Sequence, residues 1–323
     1  MKTYSLDQIK SALEGVDLMP LIEEGFVAYS DGRSVVPPVG ELVFKNPPGD
    51  VHIKYGYIQG DEYYCIKIAS GFYDNEKLGL PGGNGMMLLF RQQTGESVCV
   101  LHDEAYLTDI RTAVAGAISA KLLAPDNVSA IGVIGTGVQA RLQVEHLNGV
   151  VACKEVAVWG RTPEKVALYE SDMTSKGYTV TVCDSPAAVA QRSNLIVTTT
   201  PTTEPLLSAN DISPGTHITA MGSDTHNKRE LDGAILASAD LVVADSIPQC
   251  RKRGEIAWCL REGSVSEVDL VELGNVISGK APGRTSPGQI TVADLTGVAV
   301  QDIQIATVVY KSLDNLHHER RIR

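Results

Sequence analysis

The stretch VSAIGVIGTGVQARL, residues 128–142, holds the residues with the clearest chemistry in this chain. An apolar run from Ala130 to Ile134 leads into Gly135-Thr136-Gly137-Val138-Gln139-Ala140 and then into a helical pattern, the context that a GxGxxA dinucleotide fingerprint requires. Gly135 permits the tight turn and Gly137 lets the backbone approach a pyrophosphate. Ala140 is small enough for the helix to pack closely on its strand. The N–H groups and positive dipole end of that helix then face the phosphates. A second strand, EVAVW, follows one helix later and ends in Gly160-Arg161-Thr162, with no acid until Glu164. An Asp or Glu at this point would hold a ribose 2′-hydroxyl, whereas an Arg accommodates a 2′-phosphate. Arg161 offers a guanidinium for that phosphate and Thr162 adds a hydroxyl. The expected cofactor is NADP(H), with NAD(H) as the alternative.

The elements that must carry this turn read as strand, helix, strand from residue 128 onward. Strand candidates fall at 129–134, 155–159, 179–182, 195–199, 217–221 and 241–244, most of them separated by helical patterns. This predicts an α/β fold with a doubly wound, Rossmann-type parallel sheet. Ahead of it, a helix over 5–29 and strand-like runs at 40–44, 51–58, 63–68, 86–90 and 97–102 predict a smaller α+β domain with an antiparallel meander. A helix capped by Thr108 or Asp109 should run to Leu123, where Pro125 and Asp126 stop it. A last helix over 299–311 should return to the N-terminal domain. The expected domains are residues 1–115 with 300–323, and residues 116–299.

Composition sets the outer bounds. A chain of 323 residues suits about two domains of ~150 residues each. Hydrophobic content of 43% and charged content of 21% are those of an ordinary globular protein. A net charge of −11 argues against nucleic acid as a partner, because phosphate binding needs basic surface. The N-terminus lacks the apolar core of a signal peptide, and no apolar run reaches the ~18 residues of a membrane span, so a cytoplasmic location without a membrane partner is expected. Six scattered cysteines, with no CxxC pair and no Cys/His cluster, indicate reduced thiols and no metal site. The basic tail HHERRIR reads as a frayed terminus.

Several segments resemble the ornithine cyclodeaminase/mu-crystallin family: Ile110-Arg111-Thr112-Ala113, then IGTGVQA, VTTTPTTEPLL, PGTHITAMGSD followed by KREL, and TVADLTGVAVQD. They keep the family's order and span nearly the whole chain. The block IKIASGFYDNEKLGLPGGNGMMLLF looks closest to a subgroup that includes an ectoine-utilisation protein. The resemblance implies a homodimer built largely from the N-terminal domain, which also binds substrate. It adds Thr199 of VTTTPTTEPLL to the cofactor-binding set. It also implies imine chemistry at the α-carbon of an amino acid. Members reduce ketimines and imino acids, oxidise amino acids, or cyclise ornithine to proline with release of ammonia.

Hydride transfer at an amino-acid α-carbon needs a cation for the carboxylate, a nicotinamide on one face and an acid/base for the nitrogen. The resemblance gives Arg111 the carboxylate, which a guanidinium fork pairs at both oxygens. It makes Lys67, in the strand CIKIAS, a second carboxylate anchor that becomes a proton donor if burial lowers its pKa. Asp224, in AMGSD after the fifth strand, matches the acid/base aspartate of ornithine cyclodeaminase. Two positions depart from the pattern. The arginine that many members carry after Pro-Pro is absent in Val36-Pro37-Pro38-Val39, leaving Lys45 or Lys54 to supply its contact. Lys54 also aligns where ornithine cyclodeaminase has an acid for the substrate's side-chain amine. A lysine there repels a second ammonium and attracts a second carboxylate.

The expected activity is therefore an NAD(P)H-dependent imine reductase or amino-acid dehydrogenase. Its substrate would be a small imino or amino acid, extending to a dicarboxylic one such as iminosuccinate. An ornithine cyclodeaminase with recycled NAD is the alternative, against which Lys54 and Arg161 weigh. A non-catalytic dinucleotide-binding protein like mu-crystallin is a third reading, disfavoured because Lys67, Arg111 and Asp224 are all kept.

Overall fold

The computed structural model describes residues 1–72 and 74–322, and their side chains except at 76 and 316–322. The chain separates into two compact units, Met1–Thr112 with Val298–Arg323, and Ala113–Gly297.

The larger unit is built on eight parallel strands. Their order across the sheet is Thr179–Val182, Glu155–Trp159, Ile131–Ile134, Leu195–Thr198, His217–Ala220, Thr291–Asp294, Leu241–Ala244 and Leu270–Glu272. Every residue of Ile131–Ile134, Leu195–Thr198 and His217–Ala220 is buried, as in a parallel sheet covered on both faces. The strand order reverses between Ile131–Ile134 and Leu195–Thr198. The carboxyl ends there form the crevice where open α/β sheets bind ligands. This is the expected α/β class, with two strands more than the sequence reading counts. Thr291–Asp294 inserts between His217–Ala220 and Leu241–Ala244, and Leu270–Glu272 closes the edge. Both are too short to announce themselves by periodicity, at four and three residues.

The smaller unit holds a sheet in the order Lys2–Tyr4, Ser97–Leu101, Gly83–Arg91, Tyr63–Phe72, Pro48–Ile58 and Ser34–Val35, with Gly40–Lys45 also paired to Pro48–Ile58. The expected all-antiparallel meander needs correction, because Lys2–Tyr4 runs parallel to Ser97–Leu101. The single helix read over 5–29 is in fact two, Leu6–Leu13 and Met19–Ser30. Gly15 breaks it with φ +74, and Pro20 starts the second helix where its missing N–H costs nothing. The final helix, Ala299–Ile322, is longer than expected. The side chains of the HHERRIR tail lie outside the described residues.

One further correction bears on the site. The helix carrying Arg111 begins at Tyr106, not at Thr108. The Asp103 carboxylate accepts the Leu107 N–H at 2.9 Å and so acts ahead of Thr108 and Asp109. Glu104 and Ala105 make the entry with φ +53 and +71. Among the described residues no helix is long and apolar enough to cross a membrane, and no group of three His, Cys, Asp or Glu could hold a metal ion. The six cysteines are free thiols, and all but Cys153 are buried.

Candidate active site

In the smaller unit, the strand Tyr63–Phe72 turns Tyr63, Cys65 and Lys67 to the buried face and leaves Tyr64, Ile66 and Ile68 partly covered on the other. Lys54 on Pro48–Ile58 stands directly across from Lys67 in the antiparallel register, on the same face. Both ammonium side chains are buried, at 7% and 2% exposure, and so is Arg111 at 4%. The group that gathers them is Asp302, in the first turn of the final helix. Its Oδ1 accepts from Lys67 Nζ and from Arg111 Nε, each at 3.0 Å. Arg111 Nη1 also donates to Gln301 Oε1 at 3.3 Å, and Gln301 Nε2 returns a bond to the Arg111 carbonyl at 3.3 Å. Lys45, the other substitute for the missing arginine, is exposed at the end of its strand.

Electrostatics follows from burial and neighbours. Burial alone would raise Asp302, but Lys67, Arg111 and Lys54 together hold its carboxyl below the ordinary range. Burial first, then the Arg111 charge, lowers Lys67 to about 8 against the pull of Asp302. Asp103, also buried, is pushed up to about 6 by desolvation. Three buried cations thus share Asp302 and a weakly acidic Asp103. Such a cluster can receive an anion, and burial brings its lysine down toward the neutral range.

In the larger unit, Gly135 has φ +122, and a Cβ there would stand 2.5 Å from Thr199 Oγ1. Only glycine fits. Thr199 in turn donates its N–H and hydroxyl to the Ile134 carbonyl at 2.9 and 3.2 Å. Thr136 packs its methyl toward Gly160, where a Cβ would come within 2.6 Å. Gly137 is the exposed N-cap of the helix Val138–Leu147, with no protein atom within 4 Å of a Cβ built on it. Packing therefore does not demand glycine at 137, whereas close approach of a pyrophosphate does. Val138 is exposed and Gln139 half-buried in the first turn, and Ala140 is fully buried beneath them. This turn fits a dinucleotide. Arg161 is exposed and Thr162 is the N-cap of the helix Pro163–Ser175.

Asp224 lies beyond the carboxyl end of His217–Ala220. Its Oδ1 accepts from Lys228 Nζ at 2.7 Å, and its side chain is 38% exposed. Its carbonyl accepts from Arg253 Nη1 at 3.2 Å. The Ser223 hydroxyl bonds the Lys228 carbonyl at 2.7 Å, and His226 Nδ1 meets the Lys252 carbonyl at 2.6 Å, a partner the sequence did not reveal.

Sequence reasoning singled out neither Asp302 nor Glu230, although both lie inside quoted segments. Glu230, fully buried, accepts from Thr198 Oγ1 at 2.7 Å, from the Thr200 N–H at 2.6 Å and hydroxyl at 2.7 Å, and from the Gly222 N–H at 2.9 Å. It ties together the loops that follow two neighbouring strands. Glu255 accepts the Glu230 and Leu231 N–H groups at 2.8 and 3.1 Å, and burial followed by the Glu230 charge pushes it up to about 8. Asp294, also raised by burial, accepts the Ile256 N–H at 2.8 Å. A helix-first acid in TVADLTGVAVQD and the acid of KREL were the available signals.

The model of the ornithine cyclodeaminase/mu-crystallin family matches residues 3–316. The chain belongs to this family. Among curated relatives, an uncharacterised cyclodeaminase of Sinorhizobium fredii is 41% identical over 299 residues, covering 92% of this chain and 90% of its own. An archaeal alanine dehydrogenase dimer, solved with bound NAD, matches with a TM-score of 0.90 at 31% identity, covering 98% of this family member and 97% of that chain. The Delta(1)-pyrroline-2-carboxylate reductase of Thermococcus litoralis, solved with NADH and L-proline, matches with a TM-score of 0.90 at 25% identity, over 99% and 98% of the two chains.

Proposed function

We propose that this family member is an NAD(P)-dependent oxidoreductase acting at the α-carbon of a small amino or imino acid. The observation that carries this reading is the buried cluster of Lys54, Lys67 and Arg111 about Asp302. Arg111 and Lys67 bind the α-carboxylate, the guanidinium through its fork and the ammonium as a point charge. Lys54 sits where a second carboxylate would be received, so dicarboxylic imino acids such as iminosuccinate fall within the substrate class. An ornithine side chain would bring an ammonium against that lysine instead. Lys67, lowered to about 8, holds the proton for the substrate nitrogen, and Asp224 is the second candidate for that role.

Gly135, Thr136, Gly137, Val138, Gln139, Ala140 and Thr199 would hold the dinucleotide, whose nicotinamide supplies or takes the hydride at the α-carbon. The two solved relatives carry NAD and NADH. Exposed Arg161 with Thr162 nevertheless supports a preference for the 2′-phosphate of NADP(H) in this chain. Arg161→Ala should weaken NADPH binding about tenfold or more while leaving NADH nearly unchanged, measured by quenching of nicotinamide fluorescence. Equal affinities before and after the change would refute the preference.

Substrate-binding and dimerisation roles fall to residues 1–115 with 300–323, and cofactor binding to 116–299. The outer sheet face, with Tyr55 and Tyr57 each 38% exposed beside partly covered Ile53, Ile66 and Leu88, supports a homodimer. Sedimentation should give the mass of two chains, and a monomer at micromolar concentration would exclude it. The 66–90 block further supports a place near the subgroup that includes an ectoine-utilisation protein.

The deciding experiment follows reduced nicotinamide absorbance with monocarboxylic, dicarboxylic and cyclic imino acids, with ammonia release from ornithine measured separately. Net oxidation of NADPH or NADH by an imino acid is the expected outcome. Proline and ammonia formed in equal amounts from ornithine, without net cofactor change, would make the chain a cyclodeaminase.

A further inference from the structure

We propose that Asp302 is the positioning residue of the cation cluster, fixing Lys67 and Arg111 through one oxygen and keeping the proton on Lys67. This deepens the reading above and rests on it. The geometry gives both cations the same acceptor, Oδ1, at 3.0 Å. Oδ2 is buried and makes no hydrogen bond, so the hold of the carboxylate on the two cations runs through Oδ1. Asp302 therefore acts through the two groups it holds.

The groups around Lys67 give the sign of its effect. Arg111 comes from the helix Tyr106–Leu123 and Lys54 from the adjacent strand. Cys65 shares its own strand, Asp103 lies just ahead of the Arg111 helix, and Asp302 comes from the final helix. Arg111 and burial drive the proton off Lys67, whereas Asp302 supplies the largest opposing pull. Without that carboxylate the amine would stand neutral beside two cations. In imine reduction a bound reduced nicotinamide would supply hydride to the imine carbon, and the C=N pair would pass to nitrogen. The nitrogen then takes the proton from Lys67 Nζ, leaving an amine that solvent reprotonates. A neutral Lys67 has no proton to give.

The test titrates Lys67 in the full chain, without substrate, by NMR of protein labelled at lysine with ¹³C and ¹⁵N. Its resonance is assigned by loss in Lys67→Arg. Asp302→Asn should lower the Lys67 midpoint by about one to three units, and Asp302→Glu should restore most of it. With any imino acid that the wild type reduces, the alkaline limb of the kcat/KM profile should move down by the same amount in Asp302→Asn. An unchanged Lys67 midpoint in folded Asp302→Asn overturns the proposal. Should the asparagine variant fail to fold, an unchanged midpoint in folded Asp302→Ser overturns it as well. A wild type that reduces nothing in the panel sinks the functional reading, and the titration still judges Asp302.

Discussion

Replacing Arg111 by methionine is expected to lower kcat/KM for an imino-acid substrate about a thousand-fold, with most of the loss in KM. Truncating one member of a buried, hydrogen-bonded charge pair costs on the order of 2–5 kcal/mol, and ~4 kcal/mol is a factor of about a thousand. The substrate carboxylate would lose its bidentate partner, and Asp302 and Gln301 would each lose a donor. Lysine at 111 cannot offer Nε to Asp302, Nη1 to Gln301 and a further edge to a ligand, so Arg111→Lys should recover little. The change also carries a sign. After burial, the Arg111 charge is the next cause that brings Lys67 down to about 8, so the alkaline limb in Arg111→Met should shift up, opposite to Asp302→Asn. Steady-state rates across pH measure both effects. A kcat/KM within tenfold of wild type would remove Arg111 from the carboxylate site.

The second large effect concerns stability. Glu230→Leu should lower the melting temperature by on the order of 10 °C and weaken cofactor binding along with it. Glu230 satisfies two N–H groups, of Thr200 and Gly222, and two hydroxyls, of Thr198 and Thr200. Hydroxyls can turn to new acceptors, but main-chain N–H groups cannot, and each buried donor left alone costs about 1–3 kcal/mol. For a unit of this size ~1 kcal/mol corresponds to roughly 2–4 °C. Relief by relaxation is blocked at Gly222, where a Cβ would already lie 2.3 Å from the Thr200 carbonyl oxygen, so the two loops have little room to repack. Calorimetry and a cofactor titration report the two consequences. A melting temperature within about 3 °C of wild type would show that water or a neighbour replaces the carboxylate.

The parallel sheet was legible because its strands are buried on both faces and so read as unbroken apolar runs, as in AIGVI and LIVT. Glu155–Trp159 and Leu241–Ala244 were found to the residue. What escaped was short or joined only by distant contacts. Thr291–Asp294 offers only four residues, two of them polar, and owes its place to pairing with strands distant in sequence. In CIKIAS alternation separates Lys67 from Ile66 and Ile68, and the lysine is the one that faces inward, because the inner face carries the cation cluster and the outer face is itself apolar. Asp302 could not be assigned from spacing, since it lies 235 residues from Lys67 and 191 from Arg111 and only folding makes them neighbours.

The register that sets Lys54 opposite Lys67 has a consequence for the energetics of the whole unit. Two like charges on paired strands oppose the sheet that carries them. An anionic ligand bound at these cations would add its charge to that of Asp302, so ligand and fold would be thermodynamically linked, by ~2.7 kcal/mol at a hundred times the dissociation constant. Under the proposed function the substrate would then serve as a structural ion as well, and its binding would stabilise the N-terminal sheet.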